Sequence, residues 1–199
     1  MADGMHKLVT SGTGFGKWYV IDGDLKRWVL SLDALTQQGL NPSSLETVPD
    51  DLINSLYNGA MVIKVPDSLY KAADFFEARA FLTKDLSGYG VEFGAATNAT
   101  PVPISCKVDY ADFFDTDDGC NVGYSNEKRD YVPLKYKTSF EDMQGIEDSS
   151  LDFVIVCHVI EHVTETIRAI QKAYEKLRRG GCFSWLCLIW NIVSIATAN

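Results

Sequence analysis

Positive charge is what this chain has least of. Lys and Arg number 18 against 27 Asp and Glu, a formal net charge of −9. Proteins that grip phosphate backbones carry basic faces, so nucleic acid is not an expected partner. Histidine is scarce, with three in all: His6, His158 and His162. The five cysteines (Cys106, Cys120, Cys157, Cys182, Cys187) are odd in number and lack CxxC or zinc-knuckle spacing. That excludes a disulfide framework or a structural zinc site, and no metal is assigned. Free thiols fit a reducing compartment. Met1-Ala2-Asp3-Gly4 lacks the basic and apolar regions of a secretion signal, so the expected location is cytoplasmic. No internal repeat is visible.

What is present is an ordinary globular composition, 46% hydrophobic and 23% charged over 199 residues, enough for one domain and a small appendage. Residues 1–16, rich in Gly, Ser and Thr, read as a flexible N-terminus. Their Gly12-Thr13-Gly14-Phe15-Gly16-Lys17 has the look of a phosphate loop, but the segment before it, Met5-His6-Lys7-Leu8-Val9, reads as short and weak for the buried strand such a loop follows. Residues 17–65 read as a small accessory module. Trp18–Ile21 and Arg27–Leu30 flank Asp22-Gly23-Asp24, which predicts a hairpin. Ser31 caps a short helix through Leu40, with Gly39 near its end. Pro49-Asp50-Asp51 opens a second, closed by Asn58-Gly59. This stretch resembles a small module appended to various bacterial enzymes, which implies a packing or docking unit. Apolar residues at helical spacing predict a further helix over 68–86, starting at Ser68 and stopping at Gly88. From residue 66 onward a single α/β domain is expected, its strands alternating with helices.

The chemistry concentrates after that helix. Gly90-Val91-Glu92-Phe93 is a short buried strand ending in an acid, and Gly94-Ala95-Ala96-Thr97-Asn98 is a turn of small residues. Small side chains let backbone approach a ligand, and Gly94 can adopt dihedrals closed to other residues. Lys107–Asp112 is a second strand ending in an acid. In nucleoside-binding α/β folds an acid there accepts hydrogen bonds from ribose hydroxyls; Asp112 has that place, with Asp109 the alternative register. Ser139-Phe140-Glu141-Asp142-Met143 precedes a strand over Leu151–Val156. That strand leads into Cys157-His158-Val159-Ile160-Glu161-His162-Val163 and a helix through Leu177, ending in Arg178-Arg179-Gly180-Gly181.

These four segments, in this order and spacing, resemble the class I S-adenosylmethionine-dependent methyltransferases, of the methyltransferase type 11-like kind. Glu92–Asn98 is similar to the family's first motif, with Ala96 and Asn98 where it usually has glycines. The resemblance implies a Rossmann-like α/β fold: a mostly parallel sheet with helices on both faces, preceded by the small α+β module. It implies S-adenosylmethionine as cofactor. It assigns Glu92, Phe93, Gly94, Ala95, Ala96 and Asn98 to the methionine moiety, Asp112 to the ribose, and Ser139 and Phe140 to the adenine edge. His158 would face the reaction centre. Bland roles compete: Glu92 and Asp112 as solvated strand-end acids, Phe140 as core, and Glu161 and His162 as caps of a helix start. His158, Glu161 and His162 are the catalytic candidates, a histidine serving as base if the acceptor is a hydroxyl. His158-x-x-Glu161-His162 also spells an inverted zinc-peptidase motif, but His158 directly follows a strand and the downstream acids, Glu165 and Glu175, fall within the same expected helix.

The family fold has seven strands, and five use the chain up to about residue 190 by ordinary strand lengths. The fold is therefore expected to be incomplete. The uncharged run Cys182–Ala198 reads as a fifth strand plus a truncated tail, as the mark of a lost C-terminus, or as a membrane-associating tail too polar for a stable span. An exposed apolar edge there would invite a homodimer. The expected function is methyl transfer to a small-molecule or glycan-like acceptor. The alternative is a non-catalytic S-adenosylmethionine-binding protein. A Rossmann dehydrogenase is disfavoured because Ala96 and Asn98 replace glycines that admit a pyrophosphate.

Overall fold

The computed structural model describes residues 6–12, 16–114, 125–187 and 192–197, with side chains described up to residue 184. The chain divides into two compact units. One comprises residues 1–84, 97–104 and 129–132, the other residues 85–96, 105–128 and 133–199. The boundary expected at residue 65 falls inside the first unit. Among the described residues no helix is long and apolar enough to cross a membrane.

In the first unit β1 (Lys7–Ser11), β2 (Trp18–Asp22) and β3 (Leu25–Val29) form an antiparallel meander. β4 (Glu46–Val48) runs parallel to β1, and β5 (Tyr57–Asn58) parallel to β3. The hairpin between β2 and β3 turns on Gly23, whose φ of +62° suits a residue without Cβ. Successive side chains of a strand face opposite sides. Leu8 accordingly packs with Val20, Val29 and Leu35, while Val9 packs with Val48 and Ile53. Part of the segment expected to be flexible is therefore strand, because Leu8 and Val9 bury completely. Thr13, Gly14 and Phe15 of the apparent phosphate loop lie outside the described residues.

Helix α1 (Leu32–Gln37) begins where Ser31 Oγ accepts from the Ala34 amide. Helix α2 (Asp50–Ser55) stops three residues before Asn58, which belongs to β5 instead. The helix expected over 68–86 is split. Leu69–Lys71 is a single 3-10 turn, and α3 runs Phe75–Thr83 with Asp74, not Ser68, as its cap. Asp74 Oδ1 accepts from the Glu77 amide while the Glu77 carboxylate accepts from Ala73, a reciprocal pairing that fixes this start.

The second unit is a six-stranded sheet. Its strands are β6 (Tyr89–Phe93), β7 (Lys107–Asp112), β8 (Leu134–Lys137), β9 (Leu151–Cys157), β10 (Leu177–Cys187) and β11 (Ile192–Thr197). The order across the sheet is β11-β10-β9-β6-β7-β8. The five strands from β10 to β8 are mutually parallel, and β11 pairs antiparallel to β10 at the edge. The stretch expected as a truncated tail thus supplies a sixth strand. Helix α4 (Thr166–Lys176) covers one face, contributing Ala169 and Ala173 to a core of Val91, Phe93, Phe140, Val154, Val156 and Phe183. β9, fully buried along nearly its whole length, has the near-continuous apolar run of a central parallel strand. Gly90 is required by packing: a Cβ there would sit 2.2 Å from the Phe153 ring.

Two departures from expectation follow from local chemistry. No α-helix separates β6 from β7. Pro101 and Pro103, in the segment Thr97–Ile104, remove amide donors and disfavour helical dihedrals before them. The helix whose start was expected around Glu161 and His162 begins instead at Thr166, after a 3-10 turn over Ile160–His162. At its far end Leu177 is already strand, and the register slips between Leu177 and Cys182, where Gly180 has a φ of +82°.

Candidate active site

In an open parallel sheet, ligands bind beyond the carboxyl ends of the strands, where strand order reverses. Here that reversal lies between β6 and β9, because the chain runs outward from β6 through β7 to β8 and returns to the other side of β6. Every expected site residue but one belongs to a segment at this end of the second unit.

Gly94 follows β6 with a φ of +70°, and its amide donates to the Ala111 carbonyl of β7 at 3.1 Å. A Cβ on Gly94 would lie 2.4 Å from Val159 Cγ2, so the bend after β6 rests on the segment that follows β9. Ala96 also takes a positive φ, +46°, and sits where the turn demands a small residue. Glu92 and Phe93 are buried at 1% and 2% exposure. The Phe93 side chain faces the core, so its backbone alone is available at the turn. Ala95 is buried, while Asn98 is exposed and falls in the first unit, its carbonyl accepting from Arg79 at 2.7 Å.

Asp112 ends β7 beside that bend. Its carboxylate accepts from the Phe114 amide at 3.3 Å, and its carbonyl accepts from the Thr138 amide at 3.0 Å. Burial pushes the Asp112 carboxyl above its ordinary range, partly offset by the backbone amides of Phe114 and Phe113. Asp109, the other register, is consumed elsewhere: its carboxylate accepts from the Tyr89 hydroxyl and the Lys135 ammonium. Burial, followed by the bond to Asp109, raises the Tyr89 hydroxyl above its usual range.

The Ser139 hydroxyl donates to Asp142 and accepts from its amide, closing a tight turn one residue beyond Thr138. Phe140 takes the core role that competed with the adenine edge. Its ring is 2% exposed, edge-on to Phe93 at 5.4 Å and stacked on Phe183 at 5.9 Å. An aromatic side chain buried on both sides is core, so adenine would meet the backbone of this loop and not the ring.

His158 follows β9 directly with a φ of +57°, strained for a residue with a Cβ. Its Nδ1 lies 3.5 Å from Glu161 Oε1, and the Glu161 side chain is 6% exposed. His162 is exposed. Among the described residues no group of three potential ligands could hold a metal ion. Because Ile160–His162 is a single 3-10 turn after a strand, His158 and His162 do not share a helix face, as the zinc-peptidase motif would require.

Glu141 was not singled out by the sequence. Its Oε1 accepts from the amides of Thr164 and Glu165 at 2.7 and 2.9 Å, capping the approach to α4 from another part of the chain. Its place directly after Ser139-Phe140 was visible, but the fold brings it to α4.

Residues 118–185 match the family model described as a methyltransferase domain. The resemblance is to class I S-adenosylmethionine-dependent methyltransferases. Two solved structures are among those similar to the chain. The arsenic(III) S-adenosylmethionine methyltransferase of Chlamydomonas reinhardtii is 23% identical, the match covering 52% of this chain and 39% of that one with a TM-score of 0.37. An S-adenosylmethionine-dependent methyltransferase of Thermotoga maritima is 24% identical, covering 50% and 44% with a TM-score of 0.39. The chain therefore spans about two fifths of the length of those structures. None of the curated proteins matches it. The cofactor implied for a methyltransferase of this class is S-adenosylmethionine. Were it bound, the left-handed bend at Gly94 would border its methionine moiety and the carboxylate of Asp112, on the paired strand, would meet its ribose.

Proposed function

We propose that the second unit binds S-adenosylmethionine and transfers its methyl group to a small-molecule or glycan-like acceptor. The observation that carries this reading is the adjacency of Gly94 and Asp112 at the carboxyl ends of paired strands, next to the point where strand order reverses. S-adenosylmethionine, when bound, supplies an electrophilic methyl group on a sulfonium. The protein's task is then to hold and align. In this reading Asp112 accepts from the ribose hydroxyls, the Gly94–Ala96 backbone lies along the methionine moiety, and the Thr138–Phe140 backbone borders adenine. His158, beyond β9, takes a proton from the acceptor near neutral pH.

Titration calorimetry with S-adenosylmethionine, and with its demethylated product, tests the reading. Saturable binding to both that Asp112→Ala abolishes supports it, and no binding to either sinks it. His158→Gln should bind the cofactor as tightly as the native chain yet lose most turnover, on the order of 10²-fold or more for a general base. Binding with no turnover across acceptor pools would identify a binding protein instead of an enzyme. A cytoplasmic location belongs to the same proposal.

A further inference from the structure

Among the described residues, both carboxylate oxygens of Glu161 are buried without a hydrogen bond, on a side chain 6% exposed. A buried acid in that condition is costly unless something charged or donating meets it. The group within reach is His158, whose Nδ1 stands 3.5 Å from Glu161 Oε1, in ion-pair contact and just beyond a good hydrogen bond. The backbone is arranged to make this meeting. His158 takes a left-handed φ at the end of β9, and the Ile160–His162 turn, closed by the His162 amide donating to the Val159 carbonyl at 2.9 Å, turns Glu161 back toward it. A bulky residue held in left-handed dihedrals, beside an acid buried without hydrogen bonds, is strain that the local fold sustains for a purpose.

We propose that Glu161 is a positioning residue that fixes His158 as its Nδ1-protonated tautomer and so makes Nε2 the proton acceptor. A carboxylate facing one ring nitrogen places the proton there, because the Nδ1–H can then donate to it. It also stabilises the imidazolium formed later, as the acid of a nucleophile–base–acid triad does. The step is a proton transfer that balances by itself: the acceptor's O–H or N⁺–H bond breaks, its electron pair stays on the acceptor, and an N–H bond forms at Nε2. The positive charge then sits on the ring facing Glu161. This gives the acceptor a chemical class, a hydroxyl or an ammonium that must shed a proton. That last clause rests on the methyltransferase reading, whereas the tautomer does not.

The test is nitrogen-15 NMR of the imidazole rings of the full chain, with His158 assigned by its loss in His158→Gln. The native protein should show an Nδ1-protonated His158 with a bare Nε2. Glu161→Gln, whose amide oxygen can still accept, should keep that pattern. Glu161→Leu, apolar and of similar size, should lose it and revert toward the Nε2-protonated form, while the exposed His162 does not change. An Nε2-protonated His158 in the native chain, or the same spectrum in all three proteins, overturns the proposal. Equal disturbance by Gln and Leu also overturns it, since that would mark a merely structural role. Calorimetry with S-adenosylmethionine on Glu161→Leu separates the two claims. Unchanged affinity with a lost tautomer is the expected outcome. Absent binding in the native chain would remove the methyltransferase reading and leave the tautomer result standing.

Discussion

At the scale of the residue, the proposed role of Asp112 sets stability against binding. Burial raises its carboxyl, so the folded chain holds the proton to higher pH than the unfolded chain does. The stability this contributes is complete below the ordinary carboxylate range and is lost as pH rises through the raised folded value. Asp112→Asn carries no charge at any pH, so its melting temperature at pH 7 should equal or exceed that of the native chain. Its affinity for S-adenosylmethionine should fall, by about tenfold or more if one hydrogen bond to a charged group is lost. Cofactor affinity of the native chain should weaken as pH drops through the same raised value, and Asp112→Asn should show no such dependence. Calorimetry across pH checks both. Gly94 poses a different constraint. Gly94→Ala meets a left-handed backbone costing roughly 1–2 kcal/mol and a contact with Val159 besides. Urea unfolding should show a loss larger than the backbone alone explains, and Val159→Ala in the same chain should recover part of it.

Among the elements, the crossing from β6 to β7 bears on which cofactor the proposed site would take. Phosphate-binding α/β folds place a helix N-terminus after the first strand, where dipole and free amides attract an anion. Pro101 and Pro103 stand in that crossing, and no helix forms. A sulfonium cofactor has no phosphate to lose by this. A dinucleotide does, so NAD at millimolar concentration should fail to displace S-adenosylmethionine in a competition experiment. Helix α4 depends on a partner distant in sequence. Its cap residue Glu165 makes no side-chain cap bond, and Glu141 accepts from the Thr164 and Glu165 amides instead. Glu141→Ala should cost about 1 kcal/mol, the usual worth of a cap, read as a lower urea midpoint with an unchanged slope.

For the whole molecule, a ligand that binds only the folded state raises its stability by mass action, about 2.7 kcal/mol at a hundredfold excess over Kd. For a chain of this size each kcal/mol is worth roughly 2–4 °C. S-adenosylmethionine should therefore raise the melting temperature of the native chain by several degrees and leave Asp112→Ala unmoved. Much of this organisation was legible in the sequence because it is written in local chemistry. Gly23 between two β-prone runs makes the hairpin, Ser31 caps α1, and the largely apolar run Leu151–Val156 reads as a strand. The order of Glu92, Asp112, Ser139 and His158 along the chain pointed to one end of one sheet. Other features needed the third dimension. Lys7–Ser11 is a strand only because Leu8 and Val9 find opposite faces to fill. Phe140 is core because Phe93 and Phe183 close on its ring. Asp109 and Asp112, three residues apart and alike in sequence, differ because Tyr89 and Lys135 occupy one, while the other, at the strand end, accepts from the backbone amide of Phe114. Sequence settles what each short segment can do, since propensity and capping act over a few residues. Which side chain is spent on packing and which is left for chemistry depends on neighbours brought from far along the chain, and only the folded structure decides that.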